Sequence, residues 1–500
     1  MASGTDLESG NPLVTIHPLS RQMQRHALFV TLLKLDTLLQ PLPYLARSWQ
    51  WSPDRTQLEL ALDSTLQWHD GAPTTAEDVR FTYDAVKDST VGSPRRGDVA
   101  SIVSVDAAAP YVVRVRFDAP QPRLPSILAE LPIVPRHLLD SVPRSNWRRS
   151  TFATAPVGNG PFVFTQRVAG RQWRFERNSR FPVSLGGPPS MPGLVITVVD
   201  EASTKFAGLV SGELDIAGVS PAMAHLVVRD SALRLLTPPA LFSTMLAFNT
   251  TRAPFNDARV RRAISLALDR EQVVMAAVAG YATPALSAIP PGLPVSPNAD
   301  SVKARIGTMP ERRNAAERLL DDAGWRRNGQ GTVRSKDGKR LAVTLLTVGS
   351  GDMAVEQLVQ ADLRAIGVDV SLRVMELATF LSTVRAADKT FDMVLTGIPG
   401  DIGLGHIVAM FDDGQRGGAL DYTGFHSVPL TAAIRQARIT DGVSQQRAWG
   451  LADSILQAEQ PAAWLYHARG VQGIARSLDG VRMDLRGELA TVTQWIRRRP

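Results

Sequence analysis

The sequence predicts an α/β protein built from several domains, and three observations carry that reading. The chain has 500 residues, where one domain takes roughly 100–200, so about three domains are expected. It is 44% hydrophobic and 21% charged with no low-complexity tract, enough apolar material to fill several cores and too much for a disordered chain. The apolar period switches repeatedly between 2 and 3.6 along the chain, which interleaves strands with helices.

Alternation predicts strands over Leu58–Asp63, Val112–Phe117, Val195–Val199, Thr244–Asn249, Ala342–Val348 and Asp369–Val374. The longer period predicts helices over Thr75–Lys87, Asp257–Leu268, Glu271–Val278, Glu311–Ala323, Val355–Ile366 and Ser444–Ala458. Start and stop signals agree. Thr75 with Asp78 three residues on makes a capping box. Gly324 and Gly367 each end a helix. Pro/Gly-rich breaks at Leu185–Gly193 and Ala288–Pro297 mark loops or boundaries.

Composition excludes whole classes of chemistry. There is no cysteine, so disulfide scaffolds, thiolate metal sites, iron–sulfur clusters and cysteine nucleophiles are all ruled out. Net charge is +7, from 48 Arg and only 7 Lys against 48 acidic residues. The arginines are spread along the chain in isolated pairs, not gathered on one aromatic-lined face, so no nucleic-acid partner is expected. No run of about 18 apolar residues could cross a membrane as a helix. The polar opening Met1–Asp6 does not read as an export signal, which leaves a cytoplasmic protein or a trimmed exported one.

Catalytic signatures are sparse. No phosphate loop, zinc helix or nucleophile elbow stands in the required context. The eight histidines are isolated from one another. His69 beside Asp70 looks like half of a catalytic pair, yet it sits in a turn with no nucleophile nearby, so its expected role is structural. No catalytic residue, metal site or cofactor is expected.

A series of short blocks in a fixed order carries more information. Leu45–Trp49 and Trp68–Val79 are followed by Pro156–Phe162 (PVGNGPF), Glu176–Asn178, Leu209–Ile216 (LVSGELDI), Phe248–Thr250, Pro254–Arg261 (PFNDARVR), Gly280–Ala285 and Ala315–Trp325. Together they resemble the family 5 extracytoplasmic solute-binding proteins, the peptide, nickel and opine receptors of ABC importers, over about residues 13–465. Asn159 stands where that family's turn has threonine.

The resemblance implies a class II periplasmic-binding-protein fold: two lobes joined by a hinge, plus an inserted domain. Domain I would comprise 1–40, 150–255 and 462–500, domain II 41–149, and domain III 256–461, with a solute captured as the lobes close. It further implies no enzymatic activity, an oligopeptide or peptide-like ligand, ABC permease subunits as partners, a monomer, and a periplasmic or surface-anchored location. A metal chelate or other non-peptide solute is the alternative ligand.

The resemblance also places candidate ligand contacts. Asp401 falls where peptide-binding members hold the ligand α-ammonium, after the strand-end residues Gly397, Ile398 and Pro399. Ile398 replaces the family's tryptophan. Leu19, with Phe242 and its neighbours Leu241 and Ser243, would supply apolar cover and backbone pairing. His406 lies near the position of a ligand histidine in nickel-binding members. Gly349–Asp352 stands where dipeptide binders carry a carboxylate-binding arginine, which argues against zwitterionic dipeptides as ligand.

Overall fold

The computed structural model describes every residue except 16, 299–306, 328–332, 350–352 and 499–500. The chain divides into two compact units, Met1–Pro238 with Val471–Pro500, and Pro239–Gly470. The predicted elements form within one or two residues of their expected ends, except that the strand expected from Thr244 begins five residues earlier, at Pro239. Val112–Phe117 and Asp369–Val374 coincide with the strands, and Thr75 with Asp78 caps the helix Ala76–Lys87 through a capping box.

Unit 1 holds two four-stranded sheets and a three-stranded one. One sheet orders Ala46–Trp51, Gln57–Leu62, Val112–Phe117 and Ile102–Ala109, all antiparallel. The second orders Ala2–Ser3, Gly193–Val198, Gln172–Arg177 and Phe162–Val168. In the third, Gln472–Ala475 lies between Ile216–Gly218 and Leu233–Leu236. The alternating buried positions of Gln57–Leu62 put Leu58, Leu60 and Leu62 on one face, as a half-buried strand requires. One apolar cluster runs through the unit from Leu7 to Trp495 and includes Leu60, Trp68, Trp147 and Phe175. The segment 41–149 therefore shares its core with its surroundings.

The PVGNGPF block is a staple within that core. Gly158 and Gly160 pass so close to the preceding segment that a Cβ on Gly158 would sit 1.9 Å from the Leu28 carbonyl oxygen, and one on Gly160 2.5 Å from that of Ala27. Asn159, fully buried, accepts from the Val30 amide at 2.9 Å and donates to Thr74 Oγ1 at 3.3 Å. His69 closes the same knot. Its amide donates to the Gly158 carbonyl at 2.8 Å, and its Nδ1 accepts from the Gly158 amide at 3.2 Å. Its role is structural, as its turn context indicated.

Unit 2 is built on one six-stranded mixed sheet, ordered Ala282–Pro284, Ala462–Arg469, Pro239–Phe248, Met393–Pro399, Ala342–Thr347 and Asp369–Val374. One face packs on the helices Ala258–Ala267, Arg270–Val278, Met309–Asp322 and Ala354–Ala365 through Leu246, Phe248, Leu345, Val260, Ile264, Leu320 and Leu363. The breaks expected near 255 and 462 flank two central strands of this sheet. Pro239–Phe248 and Ala462–Arg469 are paired with each other inside this sheet, and a strand bonded along both edges belongs to the unit whose sheet it completes. The chain passes between units at Pro238 and again at Gly470.

Candidate ligand-binding site

The candidate residues of unit 2 gather at one end of the central strands. Phe242 is opposite Pro399, Ser243 opposite Ile398 and Thr244 opposite Gly397. The pairing of Pro239–Phe248 with Ala462–Arg469 shifts register between Pro239 and Ser243, and such an irregularity re-aims the side chains at a strand end. Phe242 is left 42% exposed. Its ring lies on Gly397, where a Cβ would fall 2.2 Å from Phe242 Cζ, so Gly397 is a seat for that ring. Ile398 and Ser243 are buried, and their side chains do not line an open surface.

The strand ends at Pro399, and Gly400 keeps the turn attached by donating its amide to the Leu241 carbonyl at 2.7 Å. Asp401 follows with its side chain 47% exposed. Its carboxylate accepts from the amides of Gly405 at 3.0 Å and His406 at 3.2 Å, at the start of the helix Gly405–Phe411. Burial pushes the Asp401 carboxyl up, yet the nearby His406 ring and these two amides outweigh it and hold the group below the usual aspartate value. The site therefore presents a half-exposed carboxylate that stays ionised.

His406 is sealed, with 2% of its side chain exposed and Nδ1 3.7 Å from the Asp401 carboxylate. Neither ring nitrogen makes a hydrogen bond. Its Cε1 lies 3.3 Å from where a Cβ on Gly400 would stand, so the glycine admits the ring. Leu19 belongs to unit 1, on the helix Pro18–Met23, where it packs partly buried against that unit's core. Of the Gly349–Asp352 stretch, only Gly349 is among the described residues.

Sequence reasoning missed a buried polar chain behind the strand end. Ser243 Oγ is 2.8 Å from His467 Nδ1, and His467 Nε2 is 3.2 Å from the Ser287 carbonyl. Ser287 Oγ in turn donates to Asp453 at 2.7 Å. A carbonyl can only accept, so His467 carries its proton on Nε2 and accepts from Ser243. Burial first, with His406 adding to it against the Ser287 hydrogen bond, lowers the His467 pKa to about 4. These residues lie far apart in sequence, and only the neighbouring strands bring Ser243 opposite His467.

That buried histidine gives a pH prediction. The unfolded chain binds a proton near pH 6.5 and the native His467 only near pH 4, so stability is full above pH 6.5 and falls as pH drops through that window. At pH 5 the expected loss from His467 is on the order of 2 kcal/mol. Urea unfolding of the wild type and His467→Gln at pH 7 and pH 5 checks it. An equal pH dependence in both would show that His467 is not responsible.

Comparison with known proteins places these features in a family. The profile of the bacterial extracellular solute-binding proteins, family 5, matches residues 40–410. A putative ABC transporter peptide-binding protein of Brucella ovis is 27% identical over 70% of this chain. This chain spans 63% of that relative's length. The oligopeptide-binding protein AppA of Bacillus subtilis is 24% identical over 94% of this chain and 86% of its own. The structure of AppA in complex with a nonapeptide superposes with a TM-score of 0.78 at 21% identity, covering 100% of this chain and 98% of the other. The nickel-binding periplasmic protein of Escherichia coli is 25% identical over 71% of this chain and 66% of its own. With its blocks in register and the profile covering most of its length, the chain belongs to the bacterial extracellular solute-binding proteins of family 5.

Proposed function

We propose that this chain is the substrate-binding component of an ABC importer, which captures an oligopeptide or peptide-like solute and delivers it to a membrane permease. The observation that carries the reading is Asp401. A half-exposed carboxylate, kept ionised by amides at a strand end, suits a cationic amine. Phe242, exposed beside it on Gly397, suits the apolar part of such a solute. Peptide-binding relatives support the choice of ligand. In this reading the protein binds without turnover, acts as a monomer, works outside the cytoplasm, and carries 41–149 as its inserted domain.

Asp401→Asn removes the charge while keeping one of the two acceptor oxygens that Gly405 and His406 use. Affinity for the solute that co-purifies, identified by native mass spectrometry, is expected to fall at least about tenfold in calorimetry, the scale of one charge-assisted hydrogen bond. An unchanged affinity would remove Asp401 from the site.

The second reading, a metal chelate as ligand, is favoured by the two unpartnered ring nitrogens of His406. Among the described residues, no group of three or more His, Asp or Glu side chains could hold a metal, so the chelator would have to complete the coordination. Metal in the purified protein that disappears in His406→Ala would establish this reading, and metal content equal in both would exclude it.

A further inference from the structure

We propose that Arg25 of unit 1 is an oxyanion-binding residue whose ligand is a carboxylate. The proposal rests on the reading above only for what carries that carboxylate, a peptide-like solute. Arg25 lies in a five-residue π turn, Gln24–Leu28, that continues the helix Pro18–Met23. Such turns are rare and occur mostly where a helix must present a functional side chain.

The surroundings of Arg25 supply hydrogen bonds, while the acids near it are paired with other arginines. Its Nη2 donates to the Arg486 carbonyl, and its Nε to His26 Nε2 at 3.1 Å. Burial first, and then the Arg25 charge itself, keeps the His26 ring well below its ordinary pKa, so this partner carries no charge, and its Nε2 also stands 3.2 Å from the Arg486 carbonyl. Two acids face Arg25, Glu130 and Asp484, and both are engaged elsewhere. Glu130 pairs with Arg95 at 2.8 Å, and Asp484 with Arg486 at 2.7 Å. Among the described residues Arg25 itself makes no ion pair. Its Nη1 makes no hydrogen bond among them, and this nitrogen is not completely enclosed.

Arg95 and Arg486, neighbouring guanidiniums that are mostly buried, each form an ion pair; among the described residues Arg25 does not. A mostly buried cation without an ion pair of its own is costly, and part of that cost is recovered when an anion arrives. A guanidinium held on two of its nitrogens by neutral groups presents the third in a set direction, where its N–H groups can donate to a carboxylate oxygen. Asn159 and Gly160, which bind the Leu28 carbonyl and Val30 amide, hold the downstream end of the turn. His26 and the Arg486 carbonyl thus act as positioning groups for Arg25.

The first probe is acetate. Thermal unfolding of the full chain is followed in rising sodium acetate against sodium chloride at matched ionic strength. The wild-type midpoint is expected to rise with acetate to saturation, in the form of ligand-linked stabilisation. Arg25→Gln should not respond, and Arg25→Lys should respond more weakly. The same response in wild type and Arg25→Gln, or none in the wild type, overturns the proposal. If Arg25→Gln does not fold, wild-type crystals grown in selenate decide the matter. An anomalous peak at Arg25 supports the site, and selenium bound only elsewhere refutes it.

The second probe is trialanine as free acid and as C-terminal amide. Wild type should prefer the acid by about tenfold, and Arg25→Gln should lose the preference. A preference retained in Arg25→Gln would overturn the carboxylate assignment. If neither peptide binds while the acetate response stands, the oxyanion site survives and peptide capture fails.

Discussion

Gly158→Ala is expected to destabilise unit 1 by about 3 kcal/mol or more, at the upper end of overpacking effects. The added carbon would stand 1.9 Å from the Leu28 carbonyl oxygen and 2.9 Å from the His69 ring. A flexible side chain could swing away from such an intrusion, but a backbone carbonyl cannot move alone. The Leu28 carbonyl accepts from the amides of Asn159 and Gly160 at 3.1 and 2.9 Å. Displacing it breaks both bonds and drags Phe29 and Val30, which are fully buried. Urea denaturation monitored by tryptophan fluorescence should show a much lower midpoint with little change in slope. A loss below about 0.5 kcal/mol would mean that the segment relaxes freely and that the close crossing is not a constraint.

Asp78→Ala should cost a similar amount for a different reason. Asp78 is 4% exposed. Its carboxylate accepts from the Thr75 amide at 2.8 Å, the Arg136 amide at 2.9 Å and, more weakly, Trp68 Nε1 at 3.4 Å. Truncation leaves these donors facing a cavity, and each unpaired buried donor costs about 1–3 kcal/mol. The expected total is about 3 kcal/mol, against the ~1 kcal/mol typical of an exposed helix cap. Asp78→Asn keeps an acceptor oxygen and should recover a good part of the loss. Chemical denaturation of the two variants side by side tests this, and equal destabilisation would show that the charge, not the acceptor geometry, holds the turn.

Both residues lie in blocks by which the family is recognised, and the structure shows what those blocks do. Asn178 donates to the Gly160 carbonyl, Asn249 to the carbonyls of Lys389 and Phe391, and Asp257 caps the helix Ala258–Ala267. Buried Arg261 serves the carbonyls of Phe255 and Glu459. Each satisfies backbone groups where the chain must turn or cross, a requirement tied to local sequence. That is why the fold was legible from short motifs. The candidate site was legible only in part. Asp401 and Phe242 could be placed from their blocks, but His467 and Ser243 meet across neighbouring strands and Arg25 meets Arg486 across the whole chain. No spacing rule encodes such meetings. The sheet that each strand joins is hidden for a related reason. Which sheet a strand such as Pro239–Phe248 joins depends on its edge partners, and its own alternation does not report them.

The central strand of the three-stranded sheet in unit 1, Gln472–Ala475, is supplied by the end of the chain. During synthesis its two flanking strands emerge early and then wait while all of Pro239–Gly470 is made. Unit 2 is contiguous and can close as soon as its own last strand appears, whereas unit 1 is completed only after Pro239–Gly470 has been made. The nascent protein thus matures from its middle outward. Truncation by a few dozen residues at the carboxyl end should leave a folded Pro239–Gly470 attached to an N-terminal half that stays open to proteases.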